Sequence, residues 1–245
     1  MKKYEIISSF KSLPIEIFWY PAKRKTLHTI ILLKGLYGLH NPKSLNSWDN
    51  EIIQESNGKY NFVCINTARK KVDTEEKHSQ EAFAQKTFKQ ECADIYKVYL
   101  FLVNKKILLK SQKLSIMGHS FGGTTLLGIP ELVKQSSSII MIGSGCGKSK
   151  TTTRPLLKTL FSERKLLKSI SSYRGVFVFV RGSDDTIVPK ESQNKIIEIV
   201  SKASIKITFI IRNAQHNLSS SFDFSTKNRK KILSSILDNA ISLME

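Results

Sequence analysis

The chain begins with two short apolar stretches, Tyr4–Ile7 and Ile15–Tyr20, separated by Lys11-Ser12-Leu13-Pro14. That alternation predicts an N-terminal strand pair. His28–Leu33 is an unbroken β-branched and aliphatic run, as expected of a strand buried on both faces of a parallel sheet. Similar runs at Tyr60–Asn66, Leu114–Met117, Ser138–Ile142, Gly175–Val180 and Ile205–Ile211 predict further strands. Helices are predicted between them: Ser44–Gln54, Gln80 to about Asn104, Lys190–Ser201, and a C-terminal helix through Ile232, Leu233, Ile236, Leu237, Ala240, Ile241 and Met244. In the second of these, Phe88, Cys92, Ile95, Tyr99 and Leu102 recur at helical spacing. Strands thus alternate with helices from about residue 28 onward. This implies a single α/β domain over residues 1–245, with a mostly parallel central sheet and helices on both faces.

Residues 147–174 depart from that alternation. Leu156, Leu160, Leu167 and Ile170 fall on one helical face, with Leu157 and Phe161 beside it. Arg154, Lys158, Lys165 and Lys168 fall opposite. The segment is expected to be a short lid inserted between two core strands, its apolar face over a pocket; a helix packed permanently on the core is the alternative.

Composition adds little to the fold and something to the setting. A length of 245 residues with 40% hydrophobic content suits one α/β domain. Cys64, Cys92 and Cys146 are odd in number and lack a framework spacing, which points to a reduced, cytoplasmic setting. Glu5, Lys11 and Glu16 break any signal-peptide apolar region, and no apolar run is long enough for a membrane span. The net charge is +19, but only 8 of the 39 basic residues are Arg. Lys is the poorer residue for bidentate phosphate or base contacts. No aromatic interleaving or recognition helix accompanies the charge, so specific nucleic-acid binding is not expected; weak contact with an anionic membrane surface is. The sequence assigns no oligomeric state.

The candidate chemistry begins at Lys113–Thr125. A short apolar run ends in Gly118-His119-Ser120-Phe121-Gly122, and a helix-compatible segment follows. G-x-S-x-G between strand and helix is the pattern of a nucleophile elbow. The serine takes a strained turn, the flanking glycines let strand and helix approach, and Phe121 N–H at the helix start faces an oxyanion. A nucleophilic Ser120 needs a histidine, and that histidine an orienting carboxylate. Of His28, His40, His78, His119 and His216, only His216 follows Ser120, and it follows the last predicted strand. Loops after parallel strands gather at one sheet edge, the edge of the elbow. Asp184 and Asp185, directly after the Val176–Val180 run, are both candidates for the carboxylate.

With these elements in the order nucleophile, acid, histidine, the chain resembles the α/β-hydrolase superfamily along nearly its whole length. Gly182-Ser183-Asp184-Asp185-Thr186-Ile187-Val188-Pro189 resembles that family's acid loop, whose catalytic Asp precedes x-x-Val-Pro, which implies Asp185. Gly35-Leu36 resembles the loop that gives the second oxyanion N–H, which implies Leu36 beside Phe121, with Tyr37 the next choice of donor. Tyr37, and Leu160 and Phe161 from the apolar face of the 147–174 segment, are expected against the substrate. Lys34-Gly35 stands where the family usually has His-Gly, and Gln215 where it usually has Gly before the histidine. The resemblance implies a serine esterase acting on a small acyl substrate, without metal or organic cofactor. Serine peptidase or thioesterase activity is the alternative within the same fold.

Gly143-Ser144-Gly145-Cys146-Gly147-Lys148-Ser149 resembles a phosphate-binding loop and motivates a nucleotide-binding alternative. The position of the motif's first glycine is Ile142, however, and no later strand ends in the expected aspartate. An idle hydrolase fold used as a binding module is the remaining alternative, and a complete Ser–His–Asp set argues against it.

Overall fold

The computed structural model describes residues 1–44, 47–70, 81–109, 111–147, 155–218 and 226–244. Among these, eight strands form one sheet: β1 (Lys2–Ile7), β2 (Pro14–Tyr20), β3 (His28–Leu33), β4 (Asn61–Asn66), β5 (Lys113–His119), β6 (Ser138–Ile142), β7 (Val176–Gly182) and β8 (Ile205–Ile211). Their spatial order is β1-β2-β4-β3-β5-β6-β7-β8. The two N-terminal pairings are antiparallel and the other five parallel. Ile31 pairs with Val63 on one side and Ile116 on the other, which places β3 and β5 in the middle of the sheet.

Each central strand alternates between two cores. Ile31, Leu33, Val63, Ile116, Met141, Phe177 and Phe179 face one. That face is covered by α2 (Phe88–Asn104), α3 (Phe121–Leu127), α4 (Pro130–Gln135), α5 (Pro155–Lys158), α6 (Glu163–Ile170) and α7 (Lys190–Ile199). Ile30, Leu32, Phe62, Met117, Ile140 and Val178 face the other, covered by α1 (Trp48–Glu55) and α8 (Thr226–Ser242). A strand buried on both faces explains why the sequence shows continuous apolar runs and no clean alternation. Burying each such Ile, Leu or Phe contributes about 1.5–3 kcal/mol. The outer strand β8 does alternate, with every second residue exposed.

Helix boundaries depart from the periodicity for identifiable reasons. The predicted Gln80–Asn104 helix starts only at Phe88, because Thr87 caps it reciprocally with Gln90. Helix α4, opened by Pro130, is too short to announce itself by periodicity. In the 147–174 segment, the structure describes 155–174: two short helices rather than one, separated at residues 159–162. The buried residues there are Leu156, Leu160, Leu166, Ile170 and Tyr173; Leu166 is buried where Leu167 was expected. Among the described residues no helix is long and apolar enough to cross a membrane. Cys64, Cys92 and Cys146 are buried free thiols.

Candidate active site

The elbow forms where β5 meets α3. Ser120 sits there with φ 53° and ψ −120°. A non-glycine residue held in such a conformation costs about 1–3 kcal/mol, which the surrounding packing must supply. The packing is tight enough to do so: a Cβ on Gly122 would lie 2.2 Å from the carbonyl oxygen of Leu33 and 2.6 Å from that of Lys34. Any side chain at 122 would therefore push helix α3 off the loop after β3. Phe121 is the first residue of α3, so its N–H has no partner within the helix.

The loop after β3 lies against the same serine. Gly38 N–H donates to Gly35 C=O at 2.9 Å, closing a turn over Leu36 and Tyr37, with Tyr37 at φ 62°. Leu36, Ser120 and Phe121 line one cavity of about 590 Å³. The lysine before this turn is anchored rather than loose. Lys34 Nζ lies 2.9 Å from Asp49 Oδ1, His40 Nδ1 lies 2.6 Å from Asp49 Oδ2, and the Tyr20 hydroxyl bonds His40 Nε2 at 2.7 Å. Burial would raise the Asp49 carboxyl, but the His40 hydrogen bond and the Lys34 ammonium hold it below the usual carboxylate range. Cys64 approaches this cluster, so His40, Asp49 and Cys64 have three potential metal donors close together. They fit a metal poorly. Both ring nitrogens of His40 and both oxygens of Asp49 are already engaged, an ammonium fills the neighbouring space, and burial pushes the Cys64 thiol far up.

Asp185 and His216 come from the loops after β7 and β8. The two loops are stitched together: Asn213 N–H donates to Ser183 Oγ at 2.8 Å, and Asp184 N–H to Ala214 C=O at 3.0 Å. His216 Nδ1 lies 3.0 Å from Asp185 Oδ2. The other carboxylate oxygen accepts the N–H groups of Ile187 and Val188, at 2.9 and 3.1 Å. Asp185 is buried; Asp184 is exposed and bonded to Ser183 Oγ. Geometry therefore pairs Asp185, and not Asp184, with the histidine. Ser120, Asp185 and His216 follow the carboxyl ends of the parallel strands β5, β7 and β8, at one edge of the sheet.

Three supporting residues show their role only through tertiary contact. Gln193 of α7, fully buried, donates from Nε2 to Asp185 Oδ2 at 3.0 Å. Gly143 has φ 53°, and a Cβ there would meet His216 Nδ1 at 3.2 Å. The phosphate-loop-like run thus begins with a glycine that admits the imidazole; Lys148 and Ser149 lie outside the described residues. His119 packs beside His216, ring centroids 5.1 Å apart, with Nε2 3.3 Å from His216 C=O. Burial, and after it the nearby His216, pull the His119 imidazole down to about 4.

The cavity beside Ser120 is walled by Leu157 and Leu160 on one side and by Ile187, Val188 and Pro189 on the other. Among the described residues no charged side chain lines it. Tyr37 and Phe161, expected against the substrate, do not line it. Tyr37 stacks on Phe83 at 5.2 Å. Phe161 packs edge-on against Phe88 at 5.1 Å and opens toward a separate groove.

No protein-family model and no curated protein matches the chain. Solved structures do. A carboxylesterase structure from the thaumarchaeon Nitrososphaera gargenis superposes with a TM-score of 0.67 at 13% identity, covering 98% of both chains. The esterase domain of a Rhodothermus marinus protein gives 0.61 at 15% identity, over 98% of this chain and 99% of that one. A peroxisomal alpha-beta-hydrolase from Saccharomyces cerevisiae gives 0.66 at 9% identity, over 97% and 89%. Strand order, crossover pattern and these superpositions agree: the chain has the α/β-hydrolase fold.

Proposed function

We propose that the protein is a serine hydrolase that cleaves carboxylic esters through Ser120, His216 and Asp185. The observation that carries this reading is the Asp185–His216 pair at 3.0 Å, set at the sheet edge where Ser120 is held in a strained elbow. The esterase descriptions of two of the similar structures support it. In the reaction, His216 takes the Ser120 proton as the hydroxyl attacks the ester carbonyl. Asp185 holds the imidazole in the tautomer that accepts at Nε2 and stabilises the imidazolium. The N–H groups of Phe121 and Leu36 receive the oxyanion. Collapse of the tetrahedral intermediate passes the proton from His216 to the departing alcohol and leaves an acyl-enzyme. Water, deprotonated by the same histidine, releases the acid and restores Ser120.

The uncharged cavity favours a neutral, apolar acyl or alcohol group, and its size suits a small molecule. Residues 155–170 form one wall of it and act here as a specificity-setting cap. The test is a fluorophosphonate probe, which should label the wild type at Ser120 and leave Ser120→Ala unlabelled. A folded wild type that takes no label, and turns over no member of an acyl-ester panel, refutes the reading.

A further inference from the structure

A second groove, of about 760 Å³, lies at the C-terminal end of α3 and, among the described residues, shares no lining residue with the cavity at Ser120. Helices α3, α4 and α6 and the turn into β7 enclose it. Its floor is apolar: Leu127, Val133 and Tyr173 are buried, and the half-buried ring of Phe161 closes one end. Its rim is cationic: Lys134, Lys165, Lys168 and Arg174 are all exposed around it. Among the described residues no carboxylate lines it. Glu131 and Glu163 are the only acids between Asp94 and Asp184 in the whole sequence, and Glu163 is committed to Lys195 at 3.1 Å. None of the four rim cations has an ion pair or side-chain hydrogen bond among the described residues; Lys165 instead rests over the Phe161 ring, 3.7 Å from its centroid.

Uncompensated positive charge gathered around an apolar hollow is a specific complement. A free inorganic anion would leave the floor wet, and a neutral hydrocarbon would leave the cations unanswered. A membrane surface needs apolar side chains that protrude, and no exposed large hydrophobic residue stands on this rim. We propose that this groove binds an amphipathic anion: a single molecule with an apolar body laid on Leu127, Val133, Tyr173 and Phe161 and an anionic head among Lys165, Lys168 and Arg174. The site is independent of the reaction at Ser120.

The experiment is isothermal titration of Ser120→Ala protein with decanoate, 1-decanol and inorganic phosphate at low ionic strength. Decanoate should bind, and the other two at least about tenfold more weakly, since a charge-assisted hydrogen bond and the apolar contact are each worth a decade or more. Lys165→Gln/Lys168→Gln should weaken decanoate about tenfold without lowering the unfolding temperature; Arg174→Gln is the second variant should that pair fail to fold. Decanoate binding that the charge variants leave unchanged places the ligand in the other cavity and overturns the proposal. Phosphate binding as tight as decanoate, or binding to phosphatidylglycerol vesicles without any to decanoate, overturns it too.

Discussion

The side-chain amide of Gln193 donates to the same carboxylate oxygen of Asp185 that faces His216 Nδ1. With the N–H groups of Ile187 and Val188 on the other oxygen, the carboxylate is fixed from both sides. If His216 and Asp185 act as proposed, Gln193 positions His216 through Asp185. Gln193→Ala should lower kcat about tenfold with KM little changed, since a misdirected imidazole affects the chemical step more than binding. Steady-state kinetics together with the rate of fluorophosphonate labelling check it; equal losses in unfolding temperature and in labelling rate would indicate a purely structural role.

The Lys34–Asp49 ion pair anchors the turn that carries Leu36. Lys34→Met should lower kcat by about 10–100-fold through a displaced oxyanion donor. Asp49→Asn should in addition destabilise the fold by about 3 kcal/mol, because it leaves a largely buried ammonium without its partner. Activity and denaturant midpoints measured on both variants separate the two effects.

His119 makes stability depend on acid. Its imidazole titrates at about 4 in the folded chain against an ordinary 6.5. Between those values the unfolded chain binds the extra proton, so stability falls as pH drops through the window. The loss attributable to this group is of the order of 1–3 kcal/mol. His119→Leu should flatten the stability profile between pH 6.5 and 5, read from urea midpoints. An unchanged slope contradicts the assignment.

The acyl wall offers a discriminating pair. Leu160→Ala and Leu157→Ala enlarge the cavity at Ser120, and kcat/KM should shift toward longer or branched acyl chains by several-fold. Phe161→Ala should leave chain-length preference where it was, because its ring faces the other groove. A uniform loss of activity across the series, matched by lost thermal stability, would make Leu157 and Leu160 core residues only.

Much of the fold was legible in the sequence because each central strand is buried on both faces. Runs such as Ile30–Leu33 and Ile139–Ile142 have no polar face, and their alternation with helices implies a mostly parallel sheet, though not that β4 lies outside β3. Ser120 stood out because an elbow demands glycine at fixed offsets, and His216 because it alone among the histidines follows the last strand. What stayed hidden depends on tertiary contact. Gln193 reads as one polar residue on an amphipathic helix, and Lys34 and Asp49 lie on different elements. Phe161 falls at the break between two helices, Pro155–Lys158 and Glu163–Ile170, which a single helical face does not reveal, and it lines the second groove.

Ser120 and His216 belong to parts of the sheet with unequal support. The serine follows β5, which has strands on both sides, whereas the histidine follows β8, which among the described residues pairs with β7 alone and leaves Ile210 half exposed. Edge elements open at lower free energy than central ones. Heating should therefore release the imidazole while the nucleophile is still seated, so that inactivation precedes global melting. The last strand becomes a thermal fuse, and stiffening it is the direct route to an enzyme that works closer to its melting point.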